Sequence, residues 1–543
     1  MSQEVLRPPV IVSGERTVSL DAVSSFGTYL PTIIAIVASI ALVFARIEFG
    51  GGRFISDGAL MMLALASYLI AAVFYLTNLY APFRFAEKLG LWAATLGVFF
   101  NLSSWLVRWV AAHDRELAIF QQQGRDLAEM PWLFRYVPFA NLYDLSLAFA
   151  FGAGITTLLV IRRPNFRVVA TLALPLAAII LVLARFIGSE IIDLPPVLDS
   201  YWRPIHVGIA SLSYGISLVC FAVAVLYLLK DGLQVEKMAI WTSIFALAVF
   251  VSVGRAGIFL PATFGTYAAS TFAGTSRMSL PLRADIPYVG WLILGATVLL
   301  IVSIAAFAKY SYSNSDGNDG LKTWGRRALY GALAFQAAAI GMLVYQLKTL
   351  TNVVTLINQQ QFAKFGSWML QQQDMPHAQI AAMSQQQLFD IGSRWVSENG
   401  QILNLSLNAN PVELAALITA FTGTLFVIIF GIDTAKLQRI LPSAETLDGL
   451  MYKLAGITFA GLALLLITGA VWANESWGRY WGWDAKEVGA LVAWLTYAGF
   501  LHSRIAHGWQ GRRSAYFAVA AFLFVIFTYL GVSYLLPGLH SYA

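Results

Sequence analysis

Residues 206–229 read HVGIASLSYGISLVCFAVAVLYLL, a stretch with no Asp, Glu, Lys or Arg, bounded by Arg203 on one side and Lys230 on the other. At about 1.5 Å of rise per residue, a helix of this length crosses the roughly 30 Å hydrocarbon core of a bilayer. Working outward from it, comparable apolar runs lie near 30–46, 59–80, 90–111, 139–161, 167–188, 238–260, 287–308, 327–348, 411–430, 451–472, 486–503 and 514–536. Length and apolarity predict thirteen transmembrane helices in all. The expected fold class is an all-α polytopic integral membrane protein with outward-facing helical loops.

The composition agrees. Of 543 residues, 58% are apolar and 12% charged, against about 45–50% and about 25% in soluble domains. So little charge cannot clothe a water-facing surface of this size. A soluble multidomain protein, a disordered chain, a coiled coil and a nucleic-acid binder are excluded as the main reading. The net charge of +6 is small and reads as an orientation signal. Cys220, the sole cysteine, sits inside the quoted run, which rules out a disulfide framework or thiolate metal site. Residues 1–28 are polar and lack the pattern of a cleavable signal, so the first span is expected to be retained.

Short basic loops predict the orientation. Under thirteen spans, Arg84 and Lys88, Arg162, Arg163 and Arg167, Lys230 and Lys237, Lys322, Arg326 and Arg327, Lys436 and Arg439, and Arg504, Arg512 and Arg513 all fall on one side. By the positive-inside rule that side is cytoplasmic. The N-terminus is expected inside and the C-terminus outside. Three long loops, 112–138, 261–286 and 349–410, then face outward. The last is too long to be structureless in a compact protein. Its glutamine runs 359–361, 371–373 and 385–387 stand among apolar residues, and predict amphipathic helices forming a small cap.

The chemical signal lies between the eleventh and twelfth spans, where residues 472–487 read WANESWGRYWGWDAKE. Trp472, Trp477, Tyr480, Trp481 and Trp483 crowd one outer loop, with Gly478 and Gly482 between them. An interfacial belt needs only a ring or two per helix end. A shelf for a planar apolar ligand uses more, because flat rings stack on it. Both readings stand on these residues alone. Asp484 and Glu487 have the spacing of a capping box for the twelfth span, a role compatible with any other. Arg479 could meet a ligand carboxylate or pair with Glu475.

This stretch, with Ala493-Trp494-Leu495-Thr496-Tyr497 and Leu501-His502 after it, resembles the tryptophan-rich WWD signature of the CcsA/ResC-type cytochrome c biogenesis proteins of system II, which handle haem. The resemblance extends to Gly538-Leu539-His540-Ser541-Tyr542. Residues 198–207, LDSYWRPIHV, are similar to the family's outer histidine motif, and Asn141-Leu142-Tyr143-Asp144 to its Asn-Leu-Tyr-Glu motif. Departures are Ala485 for a proline, Val488 and Gly489 for Thr-Trp, and Asp144 for Glu. The chain divides on this reading into residues 1–89, an N-terminal tail with two spans; 90–230, the first part of the core; 231–444, inserted spans with the glutamine-rich cap; and 445–543, the WWD loop and last spans.

The resemblance implies a cofactor-binding set of His206, His540, His502, Trp472, Trp477, Tyr480, Trp481, Trp483 and Asp484. His206 and His540 fall on the same predicted side as the shelf, and would be the axial ligands of haem iron there. His502, sixteen residues past Lys486, would be an inner iron ligand near the cytoplasmic end of its span, its counterpart coming from a ResB/CcsB-type membrane partner. His507 reads as a solvated loop residue, and His113 and His377 as surface residues. The implied activity is haem delivery across the membrane and its covalent attachment to an apocytochrome c bearing CxxCH, with haem bound non-covalently in transit and iron kept ferrous. The chain has no CxxCH of its own. It would form part of a haem lyase in a bacterial cytoplasmic or thylakoid-like membrane, with no catalytic base assigned. A haem exporter without synthase activity, a haem-free assembly subunit and a small-ion transporter are the rival classes.

Overall fold

The computed structural model describes residues 20–49, 55–131, 133–187, 191, 196–253, 267–273, 280–286, 288–312, 319–349, 359–373, 375–399, 405–406 and 411–532. The described helices run α1 Leu20–Phe49, α2 Asp57–Tyr80, α3 Arg84–Gln122, α4 Leu142–Ile161, α5 Ala170–Ile187, α6 Trp202–Lys230, α7 Val235–Val253, α8 Val289–Tyr312 and α9 Asp319–Thr349. They continue through α10 Gln359–Gln372, α11 His377–Ala381, α12 Gln385–Asn399, α13 Pro411–Phe430, α14 Thr434–Ile440, α15 Ala444–Trp477, α16 Ala485–His507 and α17 Arg512–Ile526. A π-helical turn, Phe527–Gly531, extends α17.

The chain is an all-α integral membrane protein in its spanning part, as composition requires. Among the described residues, ten helices are long and apolar enough to cross a bilayer, or eleven if the bent pair at Leu417–Phe430 and Thr434–Ile440 is one span. The described residues do not by themselves confirm the count of thirteen, since residues 254–260 of the expected seventh span lie outside them. Neither α7 nor α16 is among those helices. α16 carries Lys486, Glu487, His502 and Arg504 within its 23 residues, and α7 opens on Glu236 and Lys237.

α6 is the core of the bundle, packed by α4, α15 and α17. Small residues let the backbones meet, the usual device where lipid offers no hydrophobic drive. A Cβ on Gly215 of α6 would lie 2.4 Å from the backbone nitrogen of Ala153 on α4. Between α2, α3 and α4 the phenol of Tyr68 fills the space left by Gly97 and Gly154, whose added Cβ atoms would lie 2.4 and 2.1 Å from it. Buried hydroxyls pair across helices: Ser217 with Tyr497 at 2.7 Å, and Ser146 with Tyr529 at 2.5 Å.

Two elements outside the spanning helices differ in kind. Residues 359–372, 377–381 and 385–399 of the glutamine-rich stretch are helical. α10 and α12 cross where Gly366 and Gly392 allow backbone contact, over a core of Ala363, Leu370, Ile380 and Leu388. The loop expected at 261–286 holds strands instead of helices. β1 Tyr267–Ala273 pairs antiparallel with β2 Leu280–Ile286, and β3 Leu405–Ser406 adds to the other edge of β1. These are short, with aromatic and β-branched residues at β1, which suits a pleated ribbon better than a helix.

The short basic loops converge on one end of the bundle. The Lys230 ammonium donates to the carbonyls of Gln438 and Leu441 at 2.6 and 3.1 Å, and Lys436 donates to the carbonyl of Tyr80. Arg512 donates to Asp231 at 2.6 Å, and Arg167 pairs with Glu87. The first turns of α4, α6 and α16 and the last turn of α15 lie at the opposite end, where they enclose a cleft.

Candidate functional site

The tryptophan-rich loop is pinned at both ends by helix caps. α15 stops at Gly478, whose φ of 69° is the left-handed C-cap geometry that glycine adopts without a Cβ clash. α16 starts at Asp484, which accepts from the amide of Lys486 at 3.2 Å. Glu487 reaches back with Oε2 to the amides of Gly482 at 2.9 Å and Asp484 at 3.2 Å. The expected capping box is therefore present. Between the caps, Trp483 has a φ of 57°, which costs a non-glycine residue on the order of 1–3 kcal/mol. Its ring is 73% exposed. The Arg479 guanidinium packs over Gly482, while Glu475 accepts from the Ser200 hydroxyl at 2.5 Å.

His206, Trp472, Trp477, Tyr480 and Trp481 line one cleft together with Gly469 and the first turn of α16. The ring centroids of His206 and Trp472 are 5.7 Å apart, and those of Trp472 and Trp477 are 6.5 Å apart. Trp483 does not line the cleft; it joins through an edge contact with Trp481 at 5.8 Å. The enclosed part measures about 120 Å³, well below the roughly 300–1,000 Å³ of pockets that swallow a small molecule. A flat ligand larger than this would extend beyond the enclosed part toward the mouth.

The His206 ring rests on the Gly469 backbone, where a Cβ would come 2.7 Å from its Cε1. Nδ1 lies 3.0 Å from the carbonyl oxygen of Leu465 and 3.4 Å from the Thr468 hydroxyl. A carbonyl only accepts, so Nδ1 carries the proton in the neutral ring. The lone pair then sits on Nε2, the arrangement of a metal-ligating histidine oriented by its other nitrogen. Trp472 is 5% exposed, and its indole Nε1 has no hydrogen-bond partner among the described residues. A buried donor without an acceptor is costly, and an acceptor on a ligand would relieve it. A neutral imidazole, an unsatisfied indole and a glycine cradle fit haem.

The other expected site residues fall elsewhere. His540 lies outside the described residues. Asp484 is nearly buried as the cap of α16, behind Lys486 and Glu487, which line the cleft. His502 is exposed near the C-terminal end of α16, at the basic end of the bundle. His507, expected as a solvated loop residue, is exposed in the last turn of α16, its ring 5.7 Å from that of His502, edge on face. Beside them Arg504 grips Asp448 with both terminal nitrogens, one at 2.8 Å. His377 is exposed, and His113 sits against Tyr136 with Nδ1 3.5 Å from Asp114.

Sequence reasoning missed the supports. Asn141 caps α4 by accepting from the amide of Asp144 at 3.0 Å, and Asp144 forms a buried ion pair with Arg108, which also reaches Asp57 at 3.2 Å. An arginine within an apolar run was the available signal. Gly469, one turn before Trp472 on the same helix face, was the other.

A family model described as Cytochrome C assembly protein matches residues 139–305 and 329–540, more than half of the chain. Among curated proteins, the chain is 48% identical over 135 residues to the cytochrome c biogenesis protein CcsA of a Nostoc species, covering 25% of this chain and 37% of that one. It is 53% identical over 110 residues to CcsA of Trichormus variabilis, covering 20% and 31%. It is 54% identical over 99 residues to CcsA of Gloeobacter violaceus, covering 18% and 29%. The alignments thus span about a third of the length of these relatives. With the family match running from the start of α4 through α16 and α17, the chain belongs to the cytochrome c assembly protein family.

Proposed function

We propose that the protein handles haem for cytochrome c maturation, receiving it from the basic end of the bundle and presenting it at the aromatic cleft to an apocytochrome c. The observation that carries this reading is His206, held by Leu465 as the tautomer with its lone pair on Nε2, in a cleft walled by tryptophans and Tyr480. His540 is proposed as the second axial ligand and His502 as the inner ligand, completed by a ResB/CcsB-type partner. The positive-inside rule supports a cytoplasmic basic end and an outer cleft.

Attachment needs little from this chain beyond placement. Each cysteine S–H of the CxxCH segment adds across one vinyl C=C of haem, the sulfur bonding to one carbon and hydrogen to the other. Holding a haem edge in the cleft mouth beside two thiols raises their effective concentration. The same reading keeps residues 231–444 as an inserted unit between the two core segments. The test is co-expression with a CxxCH protein. Thioether-linked haem on that protein and a Soret band on this one are expected, and both should fall together in His206→Gly. A Soret band without thioether product would favour a haem-delivery protein. A purified protein without a Soret band would favour an assembly subunit.

A further inference from the structure

Three arginines crowd the turn between α16 and α17, and two of them are engaged. Arg504 is paired with Asp448, and Arg512 donates to Asp231 at 2.6 Å. Arg513 is exposed and has no carboxylate partner among the described residues. Its guanidinium lies over the Trp509 ring, 5.1 Å from the centroid. The His507 ring is 6.4 Å from that of Trp509 on one side and 5.7 Å from that of His502 on the other. Both imidazoles are exposed, and among the described residues no hydrogen bond engages either.

The turn that carries these groups is pinned. Gly508 caps α16 with a φ of 61°, and Gly511 has a φ of 71°, geometry that glycine adopts without a Cβ clash. Trp509 donates its amide to the carbonyl of Ser503 at 3.2 Å, and its own carbonyl accepts from the Ser514 hydroxyl at 3.0 Å. Phe517 packs against its ring, 6.1 Å between centroids. The indole is thus fixed, with a free imidazole and an unpaired guanidinium beside it. A flat iron-bearing acid needs these three contacts: a ring face to stack on, a nitrogen for the metal and paired N–H groups for a carboxylate.

We infer that His507, Trp509 and Arg513 form a receiving site for haem at the basic end of the bundle, one step outside His502. This rests on the proposed haem reading and adds how haem enters. His507 is the last residue of α16, five positions and about 7.5 Å beyond His502 along the helix axis, so haem arriving at the basic end meets it first. Trp509 takes the ring face, Arg513 a propionate and His507 the iron. The 5.7 Å between the two imidazoles lets iron pass from one to the other with little displacement of the macrocycle. The iron–nitrogen bond to His507 breaks as that to His502 forms; neither imidazole changes charge and no electron is transferred.

The probes are ferric haem and its dimethyl ester, added to inverted membrane vesicles that carry the full chain, so that the proposed cytoplasmic face meets them. The Soret band is followed in time against vesicles without the chain. His507 and Arg513 are exposed, so their variants should fold. His507→Ala should take up haem about tenfold more slowly yet reach a final band close to the parental one. Arg513→Gln should slow haem by a similar factor, the effect of a rim charge on encounter, and leave uptake of the ester unchanged. Parental haem rates in either variant would overturn the inference and leave the haem reading standing. So would equal slowing of haem and ester in Arg513→Gln, or loss of rate and final band together in His507→Ala, which would make His507 a resident ligand. No Soret band with either probe in the parent would sink the haem reading as well.

Discussion

Nδ1 of His206 sits 3.0 Å from the carbonyl oxygen of Leu465 while the same ring lies on the backbone of Gly469, one turn further along α15. Position and protonation of the imidazole are thus both set by one helix face. A methyl group on Gly469 would push the ring off that face, since its Cβ would fall 2.7 Å from Cε1. Gly469→Ala should therefore alter the haem spectrum and lower stability by about 1–3 kcal/mol, the usual cost of overpacking. Gly456, on the same helix, has nothing within 4 Å of an added Cβ, so Gly456→Ala should leave the spectrum unchanged. Identical spectra for the two variants would remove His206 from the iron.

Ligation and stacking should separate. An aromatic contact contributes about 0.5–1.5 kcal/mol beyond area burial, so Trp481→Ala should reduce haem retention by a factor of about 2–12 and keep the parental band shape. His206→Gly should change the band shape itself, and added imidazole should partly restore it by filling the vacated position. Both are read from absorption spectra of the purified variants. A Trp481→Ala spectrum as altered as that of His206→Gly would count against the stacking role.

One ion pair at the basic end is largely shielded from solvent. Arg504 and Asp448 are 12% and 11% exposed, and Asp448 also accepts from the amide of Gly511 at 3.1 Å. Removing one partner of such a pair leaves a charge poorly solvated, at about 3–5 kcal/mol. Asp448→Ala should lower the unfolding midpoint markedly, measured by thermal denaturation in detergent. Lys453→Ala, a charge change on the same helix, should cost far less. Equal losses would show that the pair contributes nothing special.

What could be read from sequence follows the physics of each feature. Helix α6 was legible because hydropathy over 206–229 is uniform, and the Asp484–Glu487 cap because it is local. The span at α16 was the least legible, because Lys486, Glu487, His502 and Arg504 dilute its apolar signal. The supports of His206 were invisible. A carbonyl of Leu465 and the missing side chain of Gly469 act across 259 and 263 positions of chain, and neither has a motif.

Orientation is tested by fusions. The basic loops gather at one end of the bundle, and the positive-inside rule assigns that end to the cytoplasm. A reporter active only outside the cytoplasm should be inactive when fused after Arg513 and active after Ala543. The opposite pattern would invert the cleft, placing it where no exported apocytochrome could reach it.

Trp483 offers a test in which stability and function diverge. Its φ of 57° lies in the region glycine adopts freely, and its ring is 73% exposed, so little burial is lost on removing it. Trp483→Gly relieves backbone strain on the order of 1–3 kcal/mol, set against about 0.5–1 kcal/mol of added chain entropy in the unfolded state. The ligand-free protein should be equally or slightly more stable. The strained conformation also holds the ring at the rim, 5.8 Å from Trp481, where the exposed haem edge is proposed to lie. Transfer of haem to a CxxCH protein should therefore fall in Trp483→Gly, while thermal stability holds. Trp483→Phe, which keeps an aromatic ring in the strained position, should recover part of the transfer. If Trp483→Gly transferred haem as well as the parent, the strain would have no functional role and the rim would be an interfacial belt alone.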